Sequence, residues 1–335
     1  MNNYFQLSAE DKQRVLQQAS ARLGLPPQAI EKDLWVTAIL QIVFTLSFAD
    51  KIIFKGGTSL SKVWHQIERF SEDIDLAVDR SLFDMEGDLT KKQIKKLRKA
   101  SSLFVKEVFC PALQEEIEKY GLSSLCSVEP QQDGEGDYTY PEPRKIFVKY
   151  QSAWAEPMEY LSPIVMLEIG ARSLLEPNEQ THIRSMVEEL FPSIQTTLVD
   201  SQVATALASK TFLEKAFLLH ELFSVEGRGN IAERKSRHLY DLSRMMDEDF
   251  AVKAINDDEL WESIRHHREI FTSVRGMDYT PDVRNRIVLV PPLGVQAVWE
   301  QDYKSMCSSM IFGEKPTFKE LMEQMHKLEK RFHDV

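Results

Sequence analysis

The sequence is short of cysteine, glycine and proline. Its three cysteines in 335 residues, Cys110, Cys126 and Cys307, stand far apart with no CxxC spacing. That excludes a disulfide framework or a structural zinc site and predicts free thiols in a reducing compartment. With 13 glycines and 14 prolines the chain is not collagen-like, low-complexity or wholly disordered. An excess of base is missing too: 41 Lys and Arg face 52 Asp and Glu, a net charge of −11. A protein that coats nucleic acid indiscriminately needs the opposite balance to release counterions, so only a localised basic groove stays open. The most apolar stretch, Leu34 to Phe48, is broken by Thr, Gln and Ser and falls short of the ~20 residues that span a bilayer. The start, MNNYFQLSAEDKQ, has no basic n-region ahead of an apolar stretch. The expectation is a cytoplasmic protein with no signal peptide and no membrane contact.

What is present is size and a clear order of elements. At 335 residues the chain exceeds one typical domain of about 100–200, and 43% hydrophobic residues suffice for a sizeable core. Ser8 with Asp11 three residues on opens a helix that Gly24 and Pro26-Pro27 stop, and a second helix runs from about Gln28 to Leu46. A strand at Lys51 to Lys55, a Gly56-Gly57 turn, a helix from Thr58 to Ile67 and a strand at Asp73 to Val78 follow. The pattern from Leu89 to about Tyr120 is helical, and strands are expected at Lys145 to Tyr150 and Pro163 to Ala171. Beyond Glu176-Pro177 the composition turns helical, at Gln202 to Phe223, Ser236 to Met246, Asp258 to Arg268 and Thr317 to Phe332. The fold class is therefore α+β, with an N-terminal domain over 1–175 and a helical domain over 176–335.

The stretch Phe54 to Val78, FKGGTSLSKVWHQIERFSEDIDLAV, carries the clearest chemistry. Period 2 along a strand puts Asp73 and Asp75 on one face and Ile74 and Leu76 on the other. Two carboxylates so close repel each other unless a hard divalent cation neutralises them, and Mg²⁺ takes one or two carboxylates plus phosphate oxygens and water. Upstream, Gly56 and Gly57 let backbone approach a ligand, and the amides of Thr58 and Ser59 open a helix whose N-terminus favours phosphate. Together these predict a metal–triphosphate site; a GGTS turn alone would be an ordinary strand-to-helix connection. A Walker P-loop is excluded because the glycine spacing and the GK[ST] ending are missing.

Lys55 to Lys62 followed by Arg69 to Leu76 resembles the first motif of the AbiEii/AbiGii toxin family of nucleotidyltransferases, distant relatives of the DNA polymerase β superfamily. Glu31 to Val36 is similar to the family's N-terminal helix, and Lys210 to Ala216 and Ser236 to Leu242 resemble its later lysine and aspartate motifs. One departure is a Gly57-Thr58 turn where the superfamily usually has Gly-Ser, set further ahead of the acidic pair. The resemblance implies a polymerase β-like core, a small mixed sheet flanked by helices, whose cleft the helical half completes. It implies Mg²⁺, or Mn²⁺, on Asp73 and Asp75, and a nucleoside triphosphate held by Gly56, Gly57, Thr58, Ser59, Arg69, Ser71 and Lys215. It further implies the toxin half of a toxin–antitoxin or phage-defence pair, with a cognate antitoxin as partner and RNA, particularly a tRNA 3′ end, as acceptor.

Three further residues join the catalytic set, each with a competing explanation. Glu168, the only ionisable group in an apolar strand, is the candidate third carboxylate; a buried acid paired with a lysine is the alternative. Lys215 shares a helical face with Phe212, Leu218, Leu219 and Leu222 and needs an anion, unless its ammonium snorkels to solvent. Asp241 is bracketed by Arg237, His238 and Arg244, which as surface pairs would only stabilise the helix. By the resemblance, Asp241 orients Lys215 or the acceptor. Six cations between Lys91 and Lys99, and a smaller cluster at Arg234, Lys235 and Arg237, are candidate RNA contacts or solvated faces. Transfer to a protein hydroxyl and a non-catalytic nucleotide-binding module are the competing functions.

Overall fold

The architecture, described by a computed structural model over residues 2–71, 73–154 and 161–335, begins with a short strand β1 (Asn2–Asn3) and helix α1 (Ala9–Leu23). Ser8 caps α1 by accepting the Asp11 N–H at 3.1 Å, and Gly24 ends it at φ +68°. Helix α2 (Pro27–Val43) is buried at every position from Ala29 to Val43, which explains why its apolar residues do not form a single stripe. Then come β2 (Ile52–Lys55), α3 (Gly56–Lys62), β3 (Asp73–Val78), α4 (Lys91–Phe104) and α5 (Cys110–Lys119), the last two joined by a π-helical turn. Strands β4 (Cys126–Pro130), β5 (Arg144–Tyr150), β6 (Ile164–Gly170) and β7 (Asn178–Thr181), helix α6 (Met186–Leu190), and strands β8 (Ile194–Gln195) and β9 (Val203–Ala206) follow.

The main sheet is seven-stranded and mixed, in the order β4-β5-β6-β3-β2-β9-β7, while β1 pairs in parallel with β8 outside it. β3 runs parallel to β6 and antiparallel to β2. Ile74, Leu76, Ile146, Leu167 and Ile169 join the core that α2 fills, so that face of the sheet is closed. Trp35 of α2 stacks on Tyr150 with ring centroids 5.0 Å apart. Asp33, also on α2, meets Lys62 of α3 at 2.5 Å and accepts the Met186 N–H at 2.8 Å, tying the motif helix to this core.

The chain continues through α7 (Ala208–Ser224), α8 (Ser236–Met245), α9 (Asp249–Ile255), α10 (Asp258–Phe271), α11 (Gln296–Ser309) and α12 (Phe318–His333). Phe217 stacks on Trp261 at 4.4 Å, and Trp261 meets Phe332 at 5.6 Å, joining α7, α10 and α12. No helix among the described residues is long and apolar enough to cross a membrane.

The α+β class holds, with three differences in detail. Two compact units divide the chain: Met1–Val63 with Ser71–Thr205, and Trp64–Phe70 with Ala206–Val335. The boundary expected at 175/176 falls inside the first unit, because β7 and β9 are strands of the sheet. The helix expected from Gln202 accordingly begins only at Ala208. Helix α3 stops at Lys62 rather than Ile67, because the connector beyond it is extended and paired: Phe70 N–H donates to Met310 O at 2.7 Å and Phe312 N–H to Glu68 O at 3.0 Å.

Candidate active site

Asp73 and Asp75 stand on the sheet face away from α2. Strand alternation puts Ile74 and Leu76 into the core and leaves both aspartates partly exposed. The pairing register sets their neighbours: Asp75 lies opposite Lys55 on β2 and Glu168 on β6, and Glu168 lies opposite Lys145 on β5. Lys55, Asp75, Glu168 and Lys145 thus form one row across four strands.

Gly56 is the residue that lets Asp75 come close. Its φ is +82°, and a Cβ there would sit 2.1 Å from Asp75 Oδ2, inside any allowed contact. The group that approaches this glycine turn closely is thus the Asp75 carboxylate, where the sequence led us to expect a ligand. Thr58 and Ser59 are buried and their hydroxyls are engaged internally. Thr58 Oγ1 donates to the Asp73 carbonyl and contacts Ser71 Oγ at 2.9 Å, while Ser59 Oγ donates to Gly56 O at 2.9 Å. These bonds lock Ser71 and the start of β3 onto α3. They leave the first-turn backbone N–H groups as the donors this turn can offer a ligand.

Glu168 is half-exposed and pairs with Lys145 at 3.0 Å through Oε1. It shares the face of Asp73 and Asp75, and its Oε2 has no hydrogen-bond partner among the described residues. No group of three or more His, Cys, Asp or Glu among the described residues is arranged to hold a metal by itself. The two aspartates suit a cation that completes its shell with phosphate oxygens and water.

The second cluster lies within the helical unit. Arg69 grips Asp241 with both arms of its guanidinium, Nε to Oδ1 at 2.6 Å and Nη2 to Oδ2 at 2.7 Å, and Lys215 reaches Oδ2 at 2.8 Å. Arg69 is 1% exposed and Asp241 0%. Burial alone would raise the Asp241 carboxyl, but the Arg69 and Lys215 cations outweigh it and hold it well below the usual carboxylate range. Burial pulls the Lys215 ammonium below its ordinary value, although Asp241 opposes this. Lys215 therefore does not snorkel, and Asp241 is not a surface partner of Arg244, whose guanidinium meets Glu68 and Glu314 instead. Arg69, expected at the nucleotide, is buried and paired with Asp241. Lys210 is buried as well.

The basic face of α4 is solvent-exposed at Lys91, Lys92, Lys95, Lys96 and Lys99, with Lys99 5.1 Å from the Tyr140 ring centre. The loop before α8 is held by Asp302, which accepts the N–H of Arg234 at 2.7 Å and of Ser236 at 3.0 Å. His238, read from the sequence only as a neighbour of Asp241, is 7% exposed with Nδ1 3.4 Å from Lys215 Nζ. Its signal was the spacing to Asp241, three residues on along one helical face.

The chain matches the family described as "Nucleotidyl transferase AbiEii toxin, Type IV TA system" over residues 39–324. No curated protein matches it. Among solved structures it is similar to MenT4, a nucleotidyltransferase toxin from Mycobacterium tuberculosis H37Rv, at 14% identity and a TM-score of 0.44, over 97% of this chain and 98% of that one. The chain belongs to the AbiEii family of nucleotidyl transferase toxins of type IV toxin–antitoxin systems.

Proposed function

We propose that the protein transfers a nucleotide from a nucleoside triphosphate to a hydroxyl of RNA, at a tRNA 3′ end, in a Mg²⁺-dependent reaction, with a cognate antitoxin as its partner. The observation that carries this reading is the Asp73/Asp75 pair, with Gly56 shaped to admit Asp75. Two partly exposed carboxylates on one strand face fit a small, hard cation. Mg²⁺, or Mn²⁺ with similar donor preferences, would supply charge neutralisation across the phosphates when bound to Asp73 and Asp75.

The acceptor oxygen attacks the α-phosphorus, the bond from that phosphorus to the bridging β-oxygen breaks, and pyrophosphate leaves with the electron pair. Glu168 Oε2 takes the acceptor's proton while Lys145 holds Oε1. The first-turn amides of Gly56 to Ser59 hold phosphate oxygens, and Ser71 acts by position. Asp241 orients Lys215.

The test is incubation with an α-labelled triphosphate and total RNA. Label in RNA is expected, falling by about 10³-fold in Asp73→Asn with Asp75→Asn, equivalent to about 4 kcal/mol of transition-state stabilisation. Full transfer by that double variant sinks the metal pair. Label in protein, or binding without transfer, overturns the RNA acceptor.

A further inference from the structure

Lys55 ends β2 on the same sheet face as the two aspartates, directly opposite Asp75 in the antiparallel register. Strand alternation sets that face, since Phe54 joins the core and Lys55 turns away from it. Opposed side chains of this kind have Cβ atoms about 4.5–5.5 Å apart, close enough for an opposite-charge pair. That pair is not made. The Lys55 ammonium has no ion pair among the described residues, whereas Lys145, in the same row, is held by Glu168 at 3.0 Å. The Asp75 carboxylate lies against Gly56 instead, where an added Cβ would collide with it.

The row therefore keeps one half-buried ammonium uncommitted beside the carboxylates that suit a metal. Lys145 and Glu168 cancel each other, which leaves Asp73, Asp75 and Lys55. A divalent cation on the aspartates neutralises both, and the Lys55 charge then faces whatever else the metal binds. A hard cation held by two carboxylates fills its shell with phosphate oxygens and water. An ammonium offers only donors, on a flexible stem, and phosphate oxygens offer only acceptors.

We infer that Lys55 is a phosphate-recognition residue, its ammonium donating to non-bridging oxygens of the metal-bound phosphate chain of the nucleoside triphosphate. This rests on the nucleotidyltransferase reading and adds to it a residue that reads the phosphates rather than the metal. Lys55, Asp73, Asp75, Glu168 and Lys145 all belong to one compact unit, so the row is complete within it.

Titration calorimetry of the full-length protein tests it, with inorganic pyrophosphate and an α,β-non-hydrolysable ATP analogue as probes, each in saturating Mg²⁺. Lys55→Met keeps an unbranched stem and removes the charge, and should weaken both probes by about tenfold or more, as loss of a charge-assisted bond does. Lys55→Arg should recover most of that loss. Lys51→Met is the control for net charge: Lys51 precedes β2, 3.6 Å from Asp79, and its loss should leave both probes within about twofold. Mn²⁺ without nucleotide, followed by paramagnetic resonance, separates a phosphate role from damage to the aspartates. Lys55→Met should bind it at least as tightly as wild type, because a cation beside Asp75 has gone.

Unaltered probe affinity in Lys55→Met overturns the inference and leaves Lys55 a solvated strand end. Weaker Mn²⁺ binding alongside weaker probe binding also overturns it, marking Lys55 as a support of the aspartate pair. If Lys55→Met does not fold, the Lys55 ¹³Cε resonance of wild type, identified by its absence from Lys55→Arg, decides: it should shift with pyrophosphate and Mg²⁺, and a resonance unmoved by bound probe overturns the inference. If wild type binds neither probe, this inference and the nucleotidyltransferase reading fall together. If wild type and Lys55→Met bind both equally, only this inference falls.

Discussion

Replacing Gly56 by Ala isolates the approach of Asp75 to the glycine turn. Two costs arise and can be separated. An L-residue at φ +82° carries a backbone penalty of about 1–2 kcal/mol. The new Cβ would also lie 2.1 Å from Asp75 Oδ2, 2.9 Å from its Cγ and 3.1 Å from its Cβ. Ordinary contact begins near 3.4 Å, so the carboxylate must retreat by more than about 1 Å. A displacement of that size in a catalytic group costs on the order of 10²-fold in rate. Gly24→Ala supplies the control, because φ there is +68° and nothing lies within 4 Å of the added Cβ. Both variants should lose about 1–2 kcal/mol in urea denaturation, while only Gly56→Ala should lose about 10²-fold in the initial rate of label transfer. A Gly56→Ala enzyme as active as Gly24→Ala would refute the idea that this glycine exists to seat Asp75.

Asp241→Asn should cost about 3–5 kcal/mol in equilibrium denaturation, because it removes the buried anion that both Arg69 and Lys215 bind; a cost under about 1 kcal/mol would count against the clamp. The Asp241 carboxyl is depressed, so its stabilising contribution is present above the unfolded-state value near 4 and disappears only as pH falls through its lower folded value. His220 has the opposite charge type: burial lowers it from 6.5 to about 4, with Nδ1 accepting the Val288 N–H at 3.0 Å. The unfolded chain binds that proton first, so stability should decline by roughly 3 kcal/mol as pH drops from 6.5 to 4. His220→Asn should flatten that slope in urea titrations, and an unchanged slope would rule His220 out as its source. Glu168→Gln should reduce transfer by about 10²-fold, as removal of a general base does, while shifting stability by under ~1 kcal/mol because its pair with Lys145 is half-exposed. Unaltered transfer would assign Glu168 to the ion pair alone.

The sequence carried the carboxylate strand nearly whole, since DIDLAV alternates acids with apolar residues and β3 spans those same residues. Ser8, Gly24 and Thr317 likewise marked helix ends by local chemistry. Elements defined by their neighbours were not legible. Strand β7 is Asn-Glu-Gln-Thr, a polar edge, and β9 is Val-Ala-Thr-Ala, buried throughout and continuous with a helical pattern. Strand β4, Cys-Ser-Val-Glu-Pro, fully buries only Val128, and α11 buries only a sparse set that includes Trp299, Tyr303 and Met306. In the candidate site, the acidic pair and the need of Lys215 for an anionic partner could be read from type and spacing, whereas Asp241 entered by the resemblance alone. The role of Arg69 could not, because its partner Asp241 lies 172 positions away, and a helix-surface rule offers Arg237 and Arg244 in its place.

The connector from Trp64 to Phe70 also sets an order of events during synthesis. It leaves the ribosome early, yet Arg69 waits for Asp241, and the backbone groups of Glu68 and Phe70 wait for Met310, Phe312 and Gly313 near the other end of the chain. Gly313 suits this late arrival: a Cβ there would lie 2.0 Å from Glu68 Oε2. A nascent chain that has completed its sheet therefore still holds the segment just ahead of Asp73 without its hydrogen-bonding partners. The segment just ahead of the motif strand gains these partners only when nearly the whole polypeptide has been made.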